Sequence, residues 1–297
     1  MDKKYKLTEE TIRVYGSTLY RIEALKDFGD VKEGDKGGFI KSEENLSHDG
    51  NCWVYGNAKV YKKANVFGNA KVYGDAKVFD SAKVFDSAKV YGAAKVFGKA
   101  NVFGDAEVCG NAKVCDNAMV HDNVRVCGNA LIYDDARVYD DARVYNDAWV
   151  GGNAEIYGNA MVCDNAKVYD YTMVHDYVMV NGNAIISGNT EIYDYAEIYG
   201  NAKVCGNVRV YGKAEVYGDA KICGNALIEN MSDYIVFKNW WSSGRYFTWT
   251  RSNNMWSVGC FYGTGKELIE KAYKDSELSG MEYKRVVNYV ESILNNN

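Results

Sequence analysis

The 297-residue chain contains no proline. No backbone N–H is therefore missing anywhere, which suits a structure in which nearly every strand amide must pair. Histidine is scarce, at His48, His121 and His175, and none of the eight cysteines falls in a CxxC pair, so zinc-type ligand spacing is missing and no metal is implied. No apolar run is long enough to span a bilayer. The N-terminus is charged but lacks the apolar core of a signal peptide. With 40 acidic against 35 basic residues and a net charge of −5, there is no gross basic footprint for nucleic acid or an anionic membrane. Cysteines in this number, outside a small secreted domain, point to a reducing cytosol and a cytoplasmic protein.

What is present is a period. From Val54 to Ile228 a Val or Ile occupies every sixth position, giving thirty hexads without insertion or deletion. A typical unit is Ala58-Lys59-Val60-Tyr61 plus a two-residue spacer. Side chains alternate across a strand, so Ala and Val share one face while Lys and Tyr share the other. Spacers such as Gly68-Asn69, Gly74-Asp75 and Asp116-Asn117 tolerate left-handed backbone angles and make tight corners. The small inner residue is Ala in twenty-four of the twenty-nine units from Ala58 to Ala226. Such uniformity on one side fits a narrow, filled interior rather than a flat sheet. The pattern predicts a mainly β fold, a triangular parallel β-helix with three hexads per coil, about ten coils and a length of roughly 48 Å.

Three regions follow: an N-terminal β cap over 1–50, the repeat over 51–230, and an α+β cap over 231–297. Segments Thr11–Tyr15 and Leu19–Leu25 flank Gly16-Ser17-Thr18 and predict a hairpin. Ile40 and Leu46 lie six apart but Leu46 and Val54 eight apart, which reads as an imperfect first coil joined to the cap. Near the other end, Tyr246–Thr250 and Met255–Phe261 surround Arg251–Asn254 as a second hairpin. Thr264 and Glu267 form a capping box that opens a helix through Lys274, and a second helix is expected from Met281 to Leu294.

Units of the form Val-x-Gly-Asn-Ala-x resemble the hexapeptide repeats of left-handed β-helix proteins such as hexapeptide acyltransferases and gamma-class carbonic anhydrases. The resemblance implies a left-handed coil; the right-handed bactofilins are the rival. The stretch from Asp27-Phe28-Gly29-Asp30 through Gly37-Gly38-Phe39-Ile40 to Gly50-Asn51-Cys52-Trp53-Val54-Tyr55, with the tail Gly259-Cys260-Phe261 through Glu267, is similar to an uncharacterised hexapeptide-repeat family of phages, prophages and enterobacteria. That likeness implies a phage-type origin and no particular reaction. By analogy with the acyltransferases it implies a homo-oligomer, with a trimer favoured.

The enzyme reading finds little support in the residues. The acyltransferases generally use a histidine base beside a loop that interrupts the coil, and no such loop breaks this repeat. His121 and His175 are 54 residues apart, three coils along one face, and so cannot share a metal or a proton. Cys109 with Cys127, and Cys205 with Cys223, stack at a spacing of eighteen; a reducing compartment makes them small substitutes for tyrosine rather than disulfides.

The outer skin is more informative. The residue after the inner Val or Ile is Tyr or Phe in eighteen of thirty hexads, and one column runs Phe67, Phe85, Phe103, His121, Tyr139, Tyr157, His175, Tyr193, Tyr211. This predicts an exposed, stacked aromatic strip. A column of Lys59, Lys77, Lys95 and Lys113 offers an anion contact. Between 171 and 195 the pattern breaks: Tyr171, Tyr177 and Tyr195 replace corner Asn or Asp, and Met173, Met179 and Ile185 replace outer charge. Candidate binding residues are therefore Tyr171, His175, Tyr177, Tyr193 and Tyr195, with the four lysines. The expected function is a non-enzymatic binding scaffold with no cofactor, whose partners are further copies of itself, a host protein or a small anionic ligand. A phage counter-defence protein that sequesters a signalling nucleotide or inhibits an immune protein, and a divergent acyltransferase using His121 or His175, are the alternatives.

Overall fold

The computed structural model describes residues 3–295. An N-terminal hairpin of β1 (Tyr5–Val14) and β2 (Ser17–Ala24) is followed by β3 (Lys36–Ile40). Thirty two-residue strands come next, β4 (Trp53–Val54) through β33 (Leu227–Ile228). They stack every third strand into three parallel sheets. The first face starts at β3 and carries β5 (Lys59–Val60) through β32 (Lys221–Ile222). The second carries β6 (Asn65–Val66) through β33, and the third β4 through β31 (Glu215–Val216). The chain is a triangular parallel β-helix that fits the left-handed hexapeptide type.

Ile40 pairs with Val60, Leu46 bridges Val66 and Val54 pairs with Val72. The imperfect first coil is thus a full tier, and the rod has eleven tiers rather than ten. Tier spacing follows ordinary sheet geometry, with Cα atoms of stacked residues 4.6–4.8 Å apart at the paired cysteines. Every inner Val or Ile from Val54 to Ile228 is 0% exposed, so the interior is one continuous aliphatic column. Full burial of each such side chain is worth about 1.5–3 kcal/mol. In the hexad Ala94–Lys99, Lys95, Phe97 and Lys99 each donate their N–H to the coil above, to the carbonyls of Ala112, Val114 and Asp116. Three such bonds per hexad explain why proline has no place.

The corners explain the Gly/Asp alternation. Asp134, Asp140 and Asp176 sit at φ near +55 to +59, the left-handed region that Asp and Gly adopt most readily. Each Asp also works across tiers: the N–H of Gly152 donates to Asp134 Oδ2 at 3.2 Å, and that of Gly158 to Asp140 Oδ2 at 3.1 Å. Gly98 could not be replaced, because a Cβ there would lie 2.6 Å from Asp116 N.

Both ends are closed by side chains the repeat does not contain. Between Leu46 and Val54 two extra residues break the hexad, leaving carbonyls out of register. Lys4, 1% exposed, donates from Nζ to the carbonyls of Gly50 (3.1 Å) and Cys52 (3.0 Å) and to Cys52 Sγ (3.3 Å). Burial pulls the Lys4 ammonium below its usual range and pushes the Cys52 thiol up. At the far end, the last strand of each face meets a hydroxyl: Lys221 N donates to Thr248 Oγ1 (2.8 Å), Leu227 N to Ser252 Oγ (2.7 Å) and Tyr217 N to the Tyr234 hydroxyl (3.4 Å). Amides with no further tier to pair with are satisfied this way, and the sheet edges are covered.

Tyr234 and Thr248 belong to, and Ser252 lies in a turn of, an antiparallel sheet of β34 (Tyr234–Lys238), β35 (Tyr246–Thr250), β36 (Met255–Val258) and β37 (Phe261–Gly263). Its other side packs on α1 (Gly265–Asp275) and α2 (Glu277–Asn295) around Phe247, Trp249, Trp256, Leu268 and Val287. The Thr264–Glu267 capping box is formed. Three local expectations shift. The N-terminal turn is Tyr15-Gly16, both at positive φ, as a two-residue hairpin turn requires. A turn at Gly259-Cys260 splits the expected 255–261 strand in two, and α2 starts at Glu277 rather than Met281.

Candidate functional site

The aromatic ladder of the second face forms as a stack. Ring centroids are 4.7 Å apart for Phe67 and Phe85, 4.6 Å for Phe103 and His121, and 5.5 Å for His175 and Tyr193. It is not an exposed strip, however. Phe67 through Tyr211 in this column are all half-buried, because parallel rings one tier apart cover each other's faces and leave only edges to water. The stack is first of all a stabilising device.

The strongly exposed apolar side chains lie elsewhere. On the rod these are Trp149 (43%), Tyr171 (64%), Met173 (36%), Tyr177 (58%) and Tyr195 (58%), with Tyr217 (38%) and Leu227 (44%) nearer its end. Among the described residues of the rod, no large apolar side chain before Trp149 is exposed. The first five of these sit in tiers seven to nine and reach all three faces, so they form a girdle. Tyr171 and His175 flank the second-face strand that holds Met173; Tyr177 and Tyr195 open the third face, stacked at 5.1 Å. His175 and Tyr193 end the second face where Tyr177 and Tyr195 begin the third, with Asp176 and Asp194 at the corner between. The structure therefore gathers four of the five candidate aromatics around one corner and leaves Tyr171 at the opposite edge of the second face.

His175 is held rather than free. Its ring lies between Tyr157 (4.6 Å) and Tyr193 (5.5 Å), Nδ1 is 3.0 Å from Asp176 Oδ2, and Nε2 is 3.8 Å from Glu191. His121 repeats this arrangement with Asp122 at 2.9 Å. Recurrence of one geometry at two sites in one ladder is what a stacking position produces. Both histidines stand on the second face, three tiers apart.

The faces differ in charge. On the second, Arg137 pairs with Glu155 (3.6 Å) and Arg209 with Glu191 (3.1 Å); on the third, Glu107 takes Lys89 (3.0 Å) and Arg125 (3.7 Å). The Tyr199 phenol, on the third face beside Glu215 (2.8 Å), is pushed up to about 12 by desolvation first and by that hydrogen bond second. On the first face, Lys59, Lys77, Lys95 and Lys113 stack in register and carry no ion pair among the described residues. The Lys59 ammonium is lowered by burial and then by Lys77.

The cysteines correct one expectation. Parallel in-register side chains bring Cys109 onto Cys127 and Cys205 onto Cys223 as disulfides, with Cα atoms 4.6 and 4.8 Å apart. Stacking itself supplies a spacing within disulfide range, which the argument from compartment had set aside. Cys52, Cys115, Cys163 and Cys260 are free thiols.

Fold and surface together define a β-solenoid repeat protein whose distinctive chemistry lies on its outer skin. Residues 136–152 match the family model described as YdcK Beta solenoid repeat. Within the curated proteins, a 61-residue segment is 39% identical to a protein of Escherichia coli (strain K12) called uncharacterized acetyltransferase YdcK. That match covers 18% of this chain and 19% of that protein, so the chain spans about a fifth of the length of the curated relative it matches. No helix is long and apolar enough to cross a membrane among the described residues.

Proposed function

We propose that this protein is a non-enzymatic binding scaffold that associates with copies of itself through the girdle of tiers seven to nine. The observation that carries the reading is the confinement of exposed large apolar side chains on the rod to Trp149 and beyond. Patches of this kind mark interaction surfaces more often than solvated skin. A second copy is the favoured occupant for two reasons. Two such rods share the same tier spacing, so their side-chain ladders can run in register. The third face beside Tyr195 also carries Glu197, Lys213 and Glu215, mixed charges that complement themselves when the face meets its own copy. A trimer is the arrangement expected by analogy. A phage or prophage origin rests on the terminal resemblances, a cytoplasmic place of action on the cysteine usage, and a counter-defence role is an alternative that rests on those resemblances and a candidate anion site.

Sedimentation velocity on the full chain tests this. Wild type is expected above monomer mass at micromolar concentration. The double variant Tyr177→Ser, Tyr195→Ser should weaken association at least ten-fold, since each ring removes about 100 Å² or more of burial, with an unchanged melting temperature. A monomeric wild type, or a double variant of unaltered mass, would remove the reading.

The curated relative's name favours a second reading, acyl transfer with His175 as base, since Asp176 and Glu191 lie within 3.0 and 3.8 Å of its two ring nitrogens. An acyl-CoA turnover assay with His175→Ala and His121→Ala decides it; activity unaffected by both changes would exclude these bases.

A further inference from the structure

A cleft forms where the last tiers of the first face meet the C-terminal sheet. It encloses about 620 Å³ and is lined by Asn201, Lys203, Lys221, Arg245, Tyr246 and Ile185, among others. Three cations converge there against one acid, Asp219, in a chain whose net charge is −5. The acid is engaged: Asn183 donates to Asn201 (3.1 Å), and Asn201 donates to Asp219 Oδ1 (3.1 Å). Lys221 is fixed by one bond from Nζ to the carbonyl of Gly259 at 2.6 Å, which leaves its other N–H groups unassigned. Lys203 and Arg245 make no ion pair among the described residues. Ile185, stacked next to Lys203 in the same column, and the half-exposed ring of Tyr246 add apolar surface to the lining.

We propose that this cleft binds a small diphosphate ester carrying a flat ring. Its volume lies within the range of ordinary ligand sites. The guanidinium and two ammonium groups are the donors that phosphate oxygens take. Amides of the asparagine ladder are placed to bond the linking oxygens or a sugar, and the Tyr246 ring supplies a stacking surface for the planar group. The column of Lys59, Lys77, Lys95 and Lys113 lies on the same face but five or more tiers away, beyond a Debye length of about 8–10 Å, and takes no part in the site. The tyrosines of the girdle that stand on the third face, Tyr177 and Tyr195, take no part, so the site stands or falls independently of self-association.

Titration calorimetry on the full chain, with ADP, inorganic pyrophosphate and adenosine as probes, tests the site. ADP and pyrophosphate are expected to bind one per chain, and adenosine not at all. The double variant Lys203→Gln, Arg245→Gln should weaken ADP at least ten-fold while melting as wild type does. Lys77→Gln with Lys95→Gln, several tiers away, should change ADP affinity less than three-fold. Tyr246→Leu should weaken ADP several-fold and leave pyrophosphate as it was. Absence of binding by both phosphates at millimolar concentration would overturn the proposal, as would adenosine binding as tightly as ADP. Unchanged ADP affinity in the Lys203, Arg245 variant would overturn it too, and equal ADP affinity in Tyr246→Leu would overturn the ring contact.

Discussion

Replacing Val138 by Ala tests the column on which the rod depends. Val138 is 0% exposed in the sixth tier, paired in register between Val120 and Ile156. The change removes two buried carbons, worth about 0.8 kcal/mol each, or roughly 1.6 kcal/mol. Neighbours held by strands above and below can collapse little, so a residual cavity adds about 1 kcal/mol. The expected loss is about 2–3 kcal/mol. Arg137, the preceding residue, points outward with its side chain 52% exposed and pairs with Glu155 at 3.6 Å. Exposed pairs of this kind contribute about 0–1 kcal/mol, so Arg137→Ala should fall well below Val138→Ala. Urea unfolding followed by far-ultraviolet circular dichroism gives the global values. Because stacked repeats can lose cooperativity, hydrogen exchange at the amides of His121 and Tyr139, which bond Val138 O and Ile156 O, gives the local ones. A loss below 0.5 kcal/mol for Val138→Ala, or one no greater than for Arg137→Ala, would refute the assignment of faces.

Two further outcomes follow from the N-terminal cap. Lys4→Met keeps the aliphatic stem but removes the donor for the Gly50 and Cys52 carbonyls; a loss of about 1–3 kcal/mol is expected, read as a lower urea midpoint, and an unchanged midpoint would contradict the buried-donor role. Asp30 accepts from Lys71 (2.9 Å) and Tyr55 (2.7 Å), and these bonds, Lys71's first, hold its carboxyl below the usual range. Its contribution is therefore present above the ordinary carboxylate pKa of about 4 and lost as pH falls through the lower folded value. Melting temperature measured from pH 6 to pH 2 should drop less steeply for Asp30→Asn than for wild type, and identical slopes would exclude the effect.

Legibility differed along the chain for physical reasons. Where a residue faces only its own coil and the equivalents above and below, period six was sufficient: Ala136 and Val138 could be placed inside without coordinates. Where contact depends on segments distant in sequence, period was silent. Lys4 reads as one more surface lysine of a charged N-terminus; only its approach to the loop after Leu46 shows it buried. Thr248, Ser252 and Tyr234 are ordinary polar residues until the cap lays one against the last strand of each face. The site was half legible. Breaks in the repeat marked Tyr171, Tyr177 and Tyr195, but the exposed ladder expected at Phe67 through Tyr211 turned out half-buried, since covering of one ring by the next depends on tier spacing. Arg245 and Tyr246 were missed as partners of Lys203 and Lys221, because nothing local links a cap strand to a rod face.

The amino-acid sequence by itself determined the rod: its cross-section, its filling and the direction of nearly every side chain follow from hexads that repeat one local instruction. Tertiary structure alone decided the ends and the cleft beside Arg245. Those depend on where non-repeating segments come to rest, and long-range packing, unlike alternation along a strand, leaves no period to read.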